Sequence, residues 1–219
     1  INKVFVAKID ATNNIVKAGI TANNEWQIAS NTLPEVRRRE VAFAVNGYLY
    51  VAAGHDGTTG VVATLSDVIY AKIDPTTGDL GAFTQISQSG STNNIITQRW
   101  NLGYVEANGY LYFVGGCTTG APPSSCSAMA GTVESIQVYN NYSGSPKLYS
   151  TSSAVGTSGT GVDRIGGSAT VLNGYIYYAG GCTVIACGTM SNLNYYAQIN
   201  ADGTLAAWTV SPNNLPASV

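Results

Sequence analysis

Hydrophobic residues in this chain fall in short blocks separated by turn residues. One set runs Val41-Ala42-Phe43-Ala44-Val45, then Asn46-Gly47, then Tyr48–Ala53. The first block is short, apolar and β-compatible. Asn-Gly is the strongest two-residue hairpin signal, because a type I′ turn needs positive φ at both central positions. Strict alternation is absent, as expected for strands buried between neighbouring sheets. The second strand ends in Ala53-Gly54, and its counterparts Tyr110–Gly115 and Tyr175–Gly180 run into Gly116 and Gly181. Glycine there suits a bulge or a close backbone approach. A third strand is expected at Val4–Ile9, Val68–Ile73, Val133–Val138 and Asn194–Ile199, closed by Asp10, Asp74, Asn140 and Asn200. Turn residues such as Pro75–Asp79 and Ala201-Asp202-Gly203 follow. A fourth strand then carries an aromatic: Trp26, Phe83, Tyr149 or Trp208.

These blocks recur. Asn-Gly-Tyr-Leu-Tyr at Asn46–Tyr50 and Asn108–Tyr112 returns as Asn-Gly-Tyr-Ile-Tyr at Asn173–Tyr177, at intervals of 62 and 65 residues. A glycine lies eight positions after each Asn, and an arginine nine positions before it: Arg37, Arg99 and Arg164. A four-stranded antiparallel meander of about 60 residues is what a β-propeller blade requires. The unit boundaries read as strands three and four of a blade over 1–36, then blades at 37–98, 99–163 and 164–219. The pattern of Arg, Asn-Gly-Tyr-x-Tyr, paired glycines, Tyr-Ala, Asp-Gly, Trp and Leu-Pro resembles the kelch repeat, in particular that of kelch-type propellers in bacterial surface proteins. The resemblance covers nearly the whole chain. It departs at Ala53, where a glycine pair is expected, and at Ser135-Ile136-Gln137-Val138-Tyr139, where the third-strand phrase degenerates. It implies an all-β propeller of about three and a half kelch-like blades. It is poor evidence for function, since propellers host many unrelated activities.

Three and a half blades fall short of the usual four to eight. An open half-ring exposes an apolar face and unpaired strand edges. Three explanations stand: the segment belongs to a longer or processed chain, a second copy completes the ring, or the chain closes as a small four-bladed ring.

Composition narrows the class. Hydrophobic residues make up 45% and suffice for a core, while charged residues make up only 10%, against about 25% in an average soluble domain. Net charge is −2, and the longest basic run is Arg37–Arg39. Nucleic-acid binding needs clustered cations, so it is set aside. No apolar run is long enough for a membrane-spanning helix.

Cys117 and Cys182 both follow the paired glycines, and each has a near partner, Cys126 and Cys187. Equivalent positions in adjacent blades lie too far apart for a disulfide. The pairing expected is therefore Cys117–Cys126 and Cys182–Cys187, which places the chain in an oxidising compartment, secreted or at the cell surface. The spacings and the single histidine do not fit zinc. Asn141-Tyr142-Ser143 is a glycosylation sequon at Asn141.

Chemistry-bearing candidates are few. His55 and Asp56 sit in a His-Asp-Gly turn that could face a ligand. Arg37, Arg99 and Arg164 recur before the first strand, near one mouth of a propeller channel. There they would bond carbonyls or carboxylates between blades, or form a ring of guanidinium groups facing an anionic ligand. Asp56, Asp67 and Glu134 do not make an Asp-x-Asp-x-Asp calcium loop. The glycine-rich stretch 156–161 lacks the ending of a phosphate loop. One histidine does not make a copper site of the galactose-oxidase kind. Asp202-Gly203-Thr204 with Trp208 lacks the spacing of a sialidase Asp box. No catalytic constellation or cofactor is expected. The leading reading is an extracellular, non-catalytic interaction module for a protein or glycan, acting through the variable loops His55–Asp67 and Cys117–Val133. A structural repeat segment of a surface fibre and the propeller part of a larger secreted enzyme are the alternatives.

Overall fold

The computed structural model describes residues 2–9, 12, 15–16, 26–57, 64–86, 96–120, 126–138, 153–154, 163–185 and 187–218. Among these every regular element is an antiparallel strand, and no helix is long and apolar enough to cross a membrane. The N-terminal part forms two short pairs: β1 (Phe5–Val6) with β4 (Gln27–Ile28), and β2 (Lys8–Ile9) with β3 (Ile15–Val16). Three four-stranded sheets follow. The first has the order β5 (Val41–Val45), β6 (Tyr48–Ala52), β7 (Val68–Lys72), β8 (Thr84–Gln85). The second runs β9 (Gly103–Ala107), β10 (Tyr110–Val114), then β13 (Thr132–Gln137) and β14 (Ser153–Ala154). Between β10 and β13 a small ribbon of β11 (Cys117–Thr119) and β12 (Ala128–Met129) stands apart. The third is β15 (Ser168–Leu172), β16 (Tyr175–Ala179), β17 (Asn194–Gln198) and β18 (Thr209–Val210).

The local chemistry behaves as the residue pattern predicts. Asn46, Asn108 and Asn173 have φ of 54°, 53° and 52°, and the glycines after them 78° each, so all three hairpins close through primed turns. The third strands occupy the expected stretches. The aromatics differ slightly: Trp26, Phe83 and Trp208 stand one residue before the fourth strand rather than on it. Tyr149 lies outside the described residues.

The sheets pack face to face in chain order, with β9 beside both β5 and β15. Tyr50, Ala52 and Val68 of the first sheet meet Leu111, Phe113 and Ile136 of the second in one core. Tyr110, Tyr112 and Val114 on the other face of the second sheet meet Ile176, Tyr178, Tyr195 and Ile199 of the third. β10 is therefore buried at every position, which is why its sequence does not alternate. The opposite face of the first sheet, Leu49 and Ile69 included, packs on Val4, Ala29 and Leu33 of the N-terminal pairs.

Candidate functional site

The second strand of each sheet ends in two left-handed residues. Ala53, Gly115 and Gly180 have φ of 60°, 63° and 66°, and Gly54, Gly116 and Gly181 follow at 96°, 97° and 84°. Only glycine fits the second position. A Cβ on Gly116 would lie 2.8 Å from Leu102 Cβ, and one on Gly181 2.7 Å from the Gly167 nitrogen. The double step turns the chain back, so the next residue pairs with the one after the repeated arginine. Three equivalent rungs result: Arg38–His55–Thr64, Trp100–Cys117–Met129 and Ile165–Cys182–Met190. The Gly54 and Gly116 amides donate 2.8 Å bonds to the Arg99 and Arg164 carbonyls of the next sheet, locking neighbouring rungs together.

The second and third rungs are apolar and form one cluster of Trp100, Cys117, Cys126, Ile165 and Cys182. Both expected disulfides are present, Cys117–Cys126 with a Cα separation of 5.8 Å and Cys182–Cys187 with 4.9 Å. Each closes the loop between second and third strands. In the third sheet that loop shows Val184 and Ile185 to solvent, at 39% and 47% exposure.

The three arginines do not line an open mouth. They are 4%, 0% and 4% exposed, and their side chains tie strands of their own sheet. Arg37 makes a two-pronged ion pair with Asp67, at 2.8 and 2.5 Å. Arg99 Nη2 meets Glu134 Oε2 at 2.6 Å, while its other nitrogens donate to the Thr97, Gly115 and Thr132 carbonyls. Glu134 also accepts from the Thr97 amide and hydroxyl. Among the described residues no carboxylate pairs with Arg164. Its Nη2 donates to the Tyr195 hydroxyl at 2.8 Å and its guanidinium lies 5.1 Å over that ring, leaving Nε and Nη1 buried and unpartnered. A buried guanidinium engaged in this way cannot also serve as a solvent-facing anion clamp.

The first rung is the polar exception. His55 is fully buried, and its Nδ1 accepts the Gly57 amide at 2.9 Å. That bond assigns the neutral tautomer with the proton on Nε2. Burial pushes the imidazole below its ordinary value; Asp56, 3.7 Å from Nδ1, pulls it back up, and Arg38 adds to the depression. His55 Nε2, Thr64 Oγ1 and Arg38 Nε are buried without hydrogen-bond partners. So His55 and Asp56 come together, but the imidazole faces inward. Sequence reading missed Arg38 and Thr64, whose only signal was their alignment with Trp100, Ile165, Met129 and Met190.

The remaining candidates are turn residues. Asp74 accepts from the Thr76 and Thr77 amides, and Asp202 from the Thr204 amide and hydroxyl. These bonds hold both carboxyls below the usual carboxylate range. Asn141 and the stretch 156–161 lie outside the described residues. Among the described residues no three His, Cys, Asp or Glu side chains gather as metal ligands would.

No protein-family model matches the chain, and no curated protein matches it either. Solved structures do. One, described as the "Structure of YjhT", superposes over 97% of this chain and 67% of its own with a TM-score of 0.60 at 13% identity. At that identity the likeness speaks for the fold alone.

Proposed function

We propose that this chain is a stretch of a kelch-type β-propeller acting outside the cell as a non-catalytic binding module. The three stacked sheets are its blades, and the loops between second and third strands are its contact surface. The observation that carries the reading is the stapled loop of the third sheet. It springs from a rigid double-glycine step, is closed by Cys182–Cys187, and presents Val184 and Ile185 to solvent. Preorganising a loop lowers the entropy lost on binding, and an exposed apolar pair favours a protein partner over a glycan. The disulfides support an oxidising compartment.

The test is binding of the disulfide-intact chain to panels of secreted proteins and of glycans, repeated with Val184→Ser/Ile185→Ser. A protein hit weakened at least about tenfold, which is about 1.4 kcal/mol, with an unchanged fold, is the expected result. Hits indifferent to the loop, or glycan hits alone, would overturn the assignment.

A further inference from the structure

We propose that the first rung, Arg38–His55–Thr64, is a binding site for a small carboxylate. The two equivalent rungs, Trp100–Cys117–Met129 and Ile165–Cys182–Met190, carry no charge and no hydroxyl. Packing at this place is therefore satisfied by apolar side chains. In the first sheet the same places hold a cation, an imidazole and a hydroxyl. A local departure from what packing asks, with no packing gained in return, points to a site.

Backbone pairing brings the three side chains together. Arg38 and His55 exchange both amide–carbonyl bonds, at 3.0 Å each, which sets their Cα atoms about 5.5 Å apart. His55 and Thr64 form the non-hydrogen-bonded kind of pair, flanked by the 2.8 Å bond from the Leu65 amide to the Gly54 carbonyl. Such a pair stands closer, about 4.5 Å between Cα atoms. Directly paired residues share one face of a ladder, so the side chains lie in a row. Each brings a buried polar atom without a partner: Arg38 Nε, His55 Nε2 and Thr64 Oγ1. His55 is 0% and Thr64 7% exposed. Because Nδ1 accepts the Gly57 amide, Nε2 carries the ring proton. All three atoms are donors that lack an acceptor. Buried donors left unmade are costly, and one acceptor-rich ligand satisfies all three.

Charge selects the ligand. Arg38, unlike Arg37 and Arg99, makes no ion pair among the described residues. The rung thus offers one positive charge and neutral donors beside it. A carboxylate brings one negative charge and two oxygens with about four acceptor sites. A phosphate carries nearly two charges at neutral pH, and the second would be buried uncompensated. Asp56 approaches the imidazole at Nδ1, 3.7 Å away, and leaves Nε2 open. Arg38 is half-buried and Gly57 exposed. A Cβ on Gly57 would lie 3.7 Å from Arg38 Nε, so the bare turn at Gly57 covers the donors, and the ligand enters by displacing it.

NMR titration of the isotope-labelled chain with sodium acetate, against sodium chloride at equal ionic strength, tests this. The His55 Nε2–H and Gly57 amide signals should shift saturably, with a Kd of about 1 mM or tighter. Phosphate should bind at least about tenfold more weakly than acetate. Arg38→Gln and Thr64→Val should each weaken acetate by about tenfold or more. Thr64→Val also removes an unpartnered buried hydroxyl, so its urea midpoint without acetate should rise. Glucuronate and N-acetylalanine carry the same group on a sugar and on a peptide end, and the tighter of the two names the source. The wild-type titrations decide the matter even where a variant does not fold. No saturable shift with any of the three carboxylates, or an equal response to chloride or phosphate, would overturn the proposal. So would a Thr64→Val variant with a lower midpoint and unchanged acetate affinity. None of these outcomes bears on the Val184-Ile185 loop, which belongs to the third sheet.

Discussion

Replacing Glu134 by Gln removes the only carboxylate that Arg99 meets among the described residues. The Arg99 side chain is fully buried and that of Glu134 is 9% exposed, so solvent does little to screen the loss. Burial alone already lowers the arginine's proton affinity, and Glu134 opposes that effect. The carbonyls of Thr97, Gly115 and Thr132 would still accept from the guanidinium, but they bring no charge. Removing one partner of a buried pair costs about 3–5 kcal/mol. For a chain of this length that lowers Tm by roughly 6–20 °C. Urea unfolding followed by tryptophan fluorescence would read it, since Trp100 adjoins Arg99 and is buried. The double variant Arg99→Met/Glu134→Leu should lie closer to wild type than either single change, because no charge is left unpaired. The third sheet supplies a control. Arg164 meets no carboxylate among the described residues, so Arg164→Met should stay within about 1 kcal/mol of wild type or exceed it. A Glu134→Gln variant within about 0.5 kcal/mol of wild type, or a double variant losing the sum of the singles, would refute the argument.

Three further outcomes follow from the geometry. Gly203 has φ of 81° and a Cβ there would strike the Tyr110 ring; Gly203→Ala should cost about 2–4 kcal/mol, read as a lower urea midpoint. Cys117→Ser/Cys126→Ser should destabilise by about 2–3 kcal/mol, and reduction of the wild-type chain should add about 4 Da to its mass, two hydrogens per bridge. The His55 imidazole is depressed on folding, so the unfolded chain takes up its proton first. Its contribution is complete above about pH 6.5 and is lost as pH falls through the folded value. Urea midpoints measured across that range should fall less steeply in His55→Gln, and equal slopes would show that His55 is not depressed.

Which parts were legible without coordinates depended on how local the information was. The Asn-Gly turns, the strand blocks and both disulfide pairings could be read directly, because each depends on residues close in the chain whose φ preference or reach is intrinsic. Ala53 shows the limit of composition: it stands where its counterparts are glycine, yet adopts the same left-handed φ of 60°. The arginines show the limit of repetition. Their recurrence marked them, but whether they face a ligand or a carboxylate turned on Asp67, Glu134 and Tyr195; Glu134 and Tyr195 are equivalent in register, whereas Asp67 stands two positions earlier on its strand.

The sequence by itself determined an all-β chain of repeated four-stranded units, their turns and their staples, since periodic hydrophobicity and turn chemistry act within a few residues. Tertiary structure alone decided that the arginines are internal ties and that His55 faces inward beside Arg38 and Thr64. Those outcomes depend on which face of one sheet covers which face of the next. That is set by packing between residues far apart in the chain, such as Tyr112 and Gly203, and strand periodicity carries no record of it.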